Sequence, residues 1–119
     1  MDASEQWQLD AALAALSSDG RSLTRSLRTR LAKIVELRAR FEARAPAPRG
    51  ELIYTHDETE VARLMLKPGG LPKLCFPNEP PREISGLAQA SQAAERIARR
   101  TQELIDAAPQ LGLFGPPRK

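Results

Sequence analysis

The sequence is poor in the side chains that most often carry chemistry. It has one Cys and one His in 119 residues. A structural zinc site of the Cys/His type needs four ligands and a disulfide framework needs paired cysteines, so both are excluded. Aromatic residues make up 4% of the chain, too few for a large aromatic core or a stacking platform. No apolar run approaches the ~20 residues of a membrane span. The opening Met1-Asp2-Ala3-Ser4-Glu5 is acidic and has no signal-peptide pattern. Together these absences lead to the expectation of one small, soluble, reduced, cytoplasmic protein that is not an enzyme and has no membrane contact.

What the chain does have is an uneven charge. The net +3 hides an acidic lead and a basic block. Residues 1–20 carry four acids and no base. Residues 21–49 carry nine bases against Glu36 and Glu42, a local +7. Residues 50–119 carry nine of each sign. One basic stripe therefore matters more than the overall charge.

Ten prolines divide the chain. Ala45-Pro46-Ala47-Pro48-Arg49-Gly50 cannot be helical, because Pro lacks an N–H and restricts the residue before it. Lys67-Pro68-Gly69-Gly70 signals a turn, and it lacks the second Gly and the Gly-Lys-Ser/Thr ending of a phosphate-binding loop. Phe76-Pro77-Asn78-Glu79-Pro80-Pro81 is a further breaker. Pro109 and Gly115-Pro116-Pro117 close the last regular segment.

Residues 5–16 place Leu9, Ala12, Leu13 and Leu16 on one helical face. Ser4 is the expected N-cap and Asp19-Gly20 the stop. Trp7 is expected to anchor this helix in the core, with an interface anchor as the alternative. Residues 22–45 set Leu23, Leu27, Leu31, Ile34, Leu37 and Phe41 on one stripe, which predicts a long amphipathic helix. Its other faces carry Arg21, Arg25, Arg28, Lys33, Arg40 and Arg44. They read either as a solvated face or as contacts for nucleic-acid phosphates or an acidic partner, because Arg holds phosphate bidentately.

Residues 51–76 stay open between two readings. Leu52-Ile53-Tyr54 suits a short strand. Thr55 and Glu58 fit a capping box for a helix over 57–66. The preferred reading is a hairpin of 60–66 and 71–76, with Pro72 placing the second strand at an edge. Residues 84–108 predict a second long helix. Leu87, Ala90, Ala94, Ile97, Thr101, Leu104 and Ala108 alternate three and four apart, the spacing of a coiled-coil seam. Its expected partner is the 22–45 helix, and a homodimer is the competitor. The expected fold is therefore mainly α. Two long helices form an antiparallel coiled-coil-like pair, with a short N-terminal helix and a small hairpin or irregular segment. Residues 1–108 form the domain and 109–119 a flexible tail.

No catalytic residue, metal site or cofactor is implied. His56-Asp57-Glu58 has no second His, and neighbours along an element do not face one another. A surface role is expected for it. Cys75 sits in an apolar run and reads as a small buried hydrophobe.

The tail holds Gln110-Leu111-Gly112-Leu113-Phe114. This resembles the pentapeptide by which bacterial replication and repair proteins bind the DNA sliding clamp of polymerase III. Gly112 stands where that pattern more often has Ser or Asp. The resemblance covers five residues and implies an extended peptide docked in pockets. Leu113 and Phe114 would fill an apolar pocket, and Gln110 would fix the register beside Leu111. It implies a replication or repair accessory factor or inhibitor. The competing reading packs Leu113 and Phe114 onto the last helical turn, with Gly112 as its cap. A DNA-binding helical dimer and an assembly subunit are the remaining alternatives.

Overall fold

Asp2, not Ser4, caps the first helix: its carboxylate accepts the Glu5 N–H at 2.7 Å. The computed structural model describes residues 2–111, with side-chain surroundings through residue 107. Helix α1 (Ala3–Ala15) buries Leu9 and Ala12, and Leu16 just after it. Asp19-Gly20 does not stop this helix. The break comes at Leu16-Ser17, and Asp19 and Gly20 fall in the first turn of α2 (Ser18–Ile34). The Ser17 hydroxyl caps α2 by accepting the Gly20 N–H at 3.0 Å.

That corner is fastened to the loop at 67–72. Ser17 N–H and Oγ both donate to the Gly70 carbonyl, at 3.2 and 3.1 Å, and Gly69 N–H donates to Ala15 O at 2.7 Å. Gly20 permits the approach, because a Cβ there would collide with the Gly70 carbonyl.

The expected 22–45 helix ends at Ile34. Val35 is already extended, with φ −152° and ψ 146°. Strand β1 (Arg38–Arg44) follows. Leu37 and Phe41 are four apart and so extend a helical stripe. Yet from 38 to 44 the residues also alternate charged and apolar, and this period of two prevails. Residues 45–48 turn the chain into β2 (Arg49–His56), which contains Leu52, Ile53 and Tyr54.

The capping-box helix over 57–66 does not form. Asp57 and Glu58 have φ of +49° and +66° and make a two-residue hairpin turn. This left-handed pairing matches the twist of the flanking strands. Strand β3 (Thr59–Leu66) pairs with β2, and Val61 bulges out of register. Strand β4 (Lys73–Cys75) pairs with β3 from Arg63 to Met65, so this hairpin is real but short. Pro72 precedes β4 instead of lying in it. Nor is β4 an edge, because β5 (Arg82–Glu83) pairs along its other side.

The five strands form one antiparallel sheet in sequence order. The expected mainly-α, coiled-coil-like fold is therefore wrong: among the described residues, three helices accompany a five-stranded sheet. Phe41, Leu52, Tyr54, Ala62, Leu64 and Leu74 belong to the core that the helices cover. Helix α1 packs on β1 and β2, and α3 (Leu87–Leu111) packs on β3 and along α2. Ala90, Ala93, Ala94 and Ile97 share that core with Leu23, Leu27 and Leu31 of α2. Each fully buried Leu or Ile contributes about 1.5–3 kcal/mol. Thr101 is buried too, while Leu104 is half-buried. Leu87 departs from the expected seam, being 64% exposed.

The sheet's opposite face is charged. Glu42 bonds Arg40 and Arg44, Arg44 reaches Glu51 at 3.5 Å, and Arg63 bonds Glu51 and Glu60. Ile53 lies between its cross-strand neighbours Arg40 and Arg63. It is fully buried yet stands apart from the main core. The aliphatic stems of those arginines shield it while their guanidinium groups stay with the glutamates.

Candidate anion-binding surface

Helix α2 is amphipathic in a strict sense. Gly20, Leu23, Thr24, Leu27 and Leu31 are buried. Arg21, Arg25 and Arg28, at spacings of four and three, form a stripe beside that face. Lys33 and Arg30 extend the positive charge round the exposed side. Asp19, in the first turn, is the only acid in α2.

None of these five bases takes part in an ion pair among the described residues. The contrast with the sheet face is direct. Arg40 and Arg44, expected to join the same set, stand on β1 and are neutralised by Glu42 and Glu51. The structure thus divides the expected six contact residues into four on α2 and two in a closed charge ladder. Bonding to Arg40 and then Arg44 holds the Glu42 carboxyl below its usual range. Bonding to Arg63 does the same for Glu60 and raises the Arg63 guanidinium.

Between α1 and α2 runs a groove of about 660 Å³. Leu13 and Ala14 form one wall; Arg21, Thr24, Arg25, Arg28, Thr29, Ala32 and Lys33 form the other. Arg21 also closes α1, donating from Nη1 to Leu16 O at 2.9 Å and Ala14 O at 3.2 Å. A cation there suits the negative end of the helix. Thr24 is buried, and its hydroxyl has no hydrogen-bond partner among the described residues. The Tyr54 hydroxyl, buried in β2, is likewise unpartnered. Burial pushes the Tyr54 phenol up; the nearby Arg28 guanidinium pulls the other way without completing a hydrogen bond. A second groove of about 610 Å³ along α2 includes Arg25, Arg30 and Lys33.

The other expected sites lie elsewhere. Trp7 is not a core anchor: it is 73% exposed. It falls two turns before Ala14 and so on the same side of α1 as the groove wall. Cys75 is half-buried rather than buried, its thiol against the carbonyls of Phe76 and Glu79 at 3.6 and 3.5 Å. His56 and Asp57 sit at the β2–β3 turn, 3.6 Å apart. No group of three His, Cys, Asp or Glu among the described residues could hold a metal.

Helix α3 continues through Pro109, so Gln110 and Leu111 belong to its last turn. Gly112, Leu113 and Phe114 of the clamp-like pentapeptide lie outside the described residues. Four expected seam residues, Ala90, Ala94, Ile97 and Thr101, are buried within the chain.

Residue spacing did not single out Thr24 or Ala14, because a lone Thr in a basic helix and one Ala among many carry no signal. Trp7 had one: Ala3, Trp7, Ala11 and Ala14 recur at helical spacing opposite Leu9, Ala12 and Leu16.

The chain matches no protein-family model, no curated protein sequence and no solved structure. No described helix is long and apolar enough to cross a membrane.

Proposed function

We propose that the protein is a non-enzymatic, cytoplasmic binding protein that docks on nucleic-acid phosphates through the basic face of α2. The observation that carries this reading is the set of five α2 bases without a carboxylate partner among the described residues, beside sheet arginines that are paired. Unpaired arginines on one face leave a field that phosphates can enter without first breaking an ion pair. A rigid helix presents them, from Arg21 to Lys33, over about 18 Å.

The test is fluorescence anisotropy of a labelled duplex at low salt. The intact chain is compared with the triple variant Arg25→Glu, Arg30→Glu, Lys33→Glu. The reading expects binding by the parent and loss of at least tenfold affinity in the variant, with unchanged circular dichroism. Equal affinities would remove it.

A second reading rests on the pentapeptide at 110–114, which supports docking on a bacterial sliding clamp as an accessory factor or inhibitor. Replacing Gln110, Leu113 and Phe114 with Ala abolishes a clamp pull-down on this reading and leaves duplex binding unchanged. Undiminished capture of the clamp by that variant would rule the reading out.

A further inference from the structure

The groove between α1 and α2 contains one polar group that folding alone does not account for. Thr24 and Arg28 stand one helical turn apart and both line it. A buried helical Thr commonly bonds the carbonyl four residues earlier. Thr101 does so, donating to Ile97 O at 2.8 Å. Thr24 is equally buried but makes no such bond. An unpaired interior hydroxyl is destabilising, and Val would fill the same space without that cost. On the same wall of the groove, one turn on, Arg28 takes part in no ion pair among the described residues.

We propose that this groove seats a single phosphomonoester, held by the Arg28 guanidinium and the Thr24 hydroxyl. The ligand's carbon skeleton lies against Leu13, Ala14 and Ala32. The proposal rests on the reading of α2 as a phosphate-docking face and names the group it selects. A phosphomonoester carries close to two negative charges and three acceptor oxygens. Two of these oxygens meet the planar guanidinium fork, and the third accepts from the hydroxyl. The groove's volume, about 660 Å³, is that of a small-ligand site. Strand ends and free phosphate esters offer the same chemistry.

The test uses the full chain and two duplexes of one sequence, with 5′-phosphate or 5′-hydroxyl ends. Inorganic phosphate and a nucleoside 5′-monophosphate serve as competitors. The proposal expects the phosphorylated duplex to bind at least tenfold more tightly. Competition by the monophosphate at matching affinity assigns the seat to free esters. Competition by the monophosphate only at far higher concentration than the phosphorylated duplex assigns it to strand ends, and competition by inorganic phosphate without the monophosphate overturns the phosphomonoester seat. Thr24→Val erases the preference for the phosphorylated end while affinity for the hydroxyl-ended duplex persists. Arg28→Gln erases the preference too and also weakens the hydroxyl-ended duplex, because Arg28 belongs to the docking face of α2. Thr24→Val also melts at or above the parent's temperature, which separates a lost contact from a damaged fold. A preference that survives Thr24→Val overturns the proposal. Equal affinity of the parent for both duplexes overturns the seat and leaves α2 docking standing. No binding to either duplex at low salt overturns both.

Discussion

The Glu5 carboxylate of α1 reaches across to β1 and accepts the backbone N–H of Phe41 at 2.9 Å. β1 is an edge of the sheet, and unpaired N–H groups along an edge invite pairing with other chains. Glu5 satisfies one of them and ties the first helix to the first strand. The contact joins residues 36 apart in sequence. A hydrogen bond to a charged group contributes about 1.5–3 kcal/mol. Glu5→Ala is therefore expected to lower unfolding free energy by about 2 kcal/mol in urea titration, with Glu5→Gln retaining part of it. A change within 0.5 kcal/mol would show that water replaces the carboxylate at no cost.

Gly50 lies under Phe41. A Cβ at position 50 would collide with the Phe41 ring and approach the Glu42 carbonyl. The ring can move, but the backbone carbonyl cannot. Gly50→Ala is expected to cost about 3 kcal/mol, the upper end of overpacking. Adding Phe41→Leu should recover part of that loss, since neighbours in contact do not add. Calorimetric melting of the two single variants and the double variant gives the coupling. Strict additivity would contradict the contact.

The β2–β3 turn places Asp57 and Glu58 in the left-handed region, at φ +49° and +66°. Asn-Gly is the pair that suits such a turn, whereas Glu has no advantage there. Asp57→Asn with Glu58→Gly is expected to raise stability by about 1 kcal/mol. The shift should appear in the midpoint of denaturation with an unchanged slope. A destabilised double variant would mean that the two carboxylates make contacts the turn needs.

Stability should fall at both ends of the pH range. Arg40 and Arg63 hold Glu42 and Glu60 below the usual carboxylate value of 4.5. A depressed folded-state value means the unfolded chain takes up protons first. The stabilisation is complete above pH 4.5 and is lost as pH falls through the folded values. At the alkaline end, burial raises the Tyr54 phenol above 10.0. The unfolded chain then loses its proton first, and stability drops as pH rises beyond 10. Tyr54→Phe should remove that alkaline limb and leave the acid limb intact. Melting temperatures across the pH range of parent and variant check both signs.

The elements most legible in the sequence were those with a single periodicity. In α1, Leu9, Ala12 and Leu16 repeat at helical spacing and nothing competes. In α3, Ala90, Ala94, Ile97 and Thr101 do the same, and they turn inward on α2 and the sheet. Legibility failed where two periods overlapped. Leu37 and Phe41 continue the α2 stripe, yet Arg38, Arg40, Glu42 and Arg44 alternate with smaller or apolar residues. Val35 tips the local backbone to extended, and pairing with β2 then satisfies the strand's backbone groups. That decision depends on cross-strand partners up to 17 positions away, from Arg44 opposite Arg49 to Arg38 opposite Thr55, which a helical window does not contain. The same error misplaced Arg40 and Arg44, since the chain reversal moves them to the other side of the sheet. Thr24 was invisible for a different reason: what distinguishes it is a bond it does not make.

The salt dependence of duplex binding tests the central claim most directly. Each phosphate neutralised releases condensed counterions, and the slope of log affinity against log salt is about −0.9 per contact. Engagement of the α2 bases by three to five phosphates predicts a slope of about −2.7 to −4.5 for the parent. The Arg25→Glu, Arg30→Glu, Lys33→Glu variant should show a slope nearer zero by about three. A parent affinity that does not change with salt, or a variant with the parent's slope, would contradict the assignment of α2 as the phosphate-docking face.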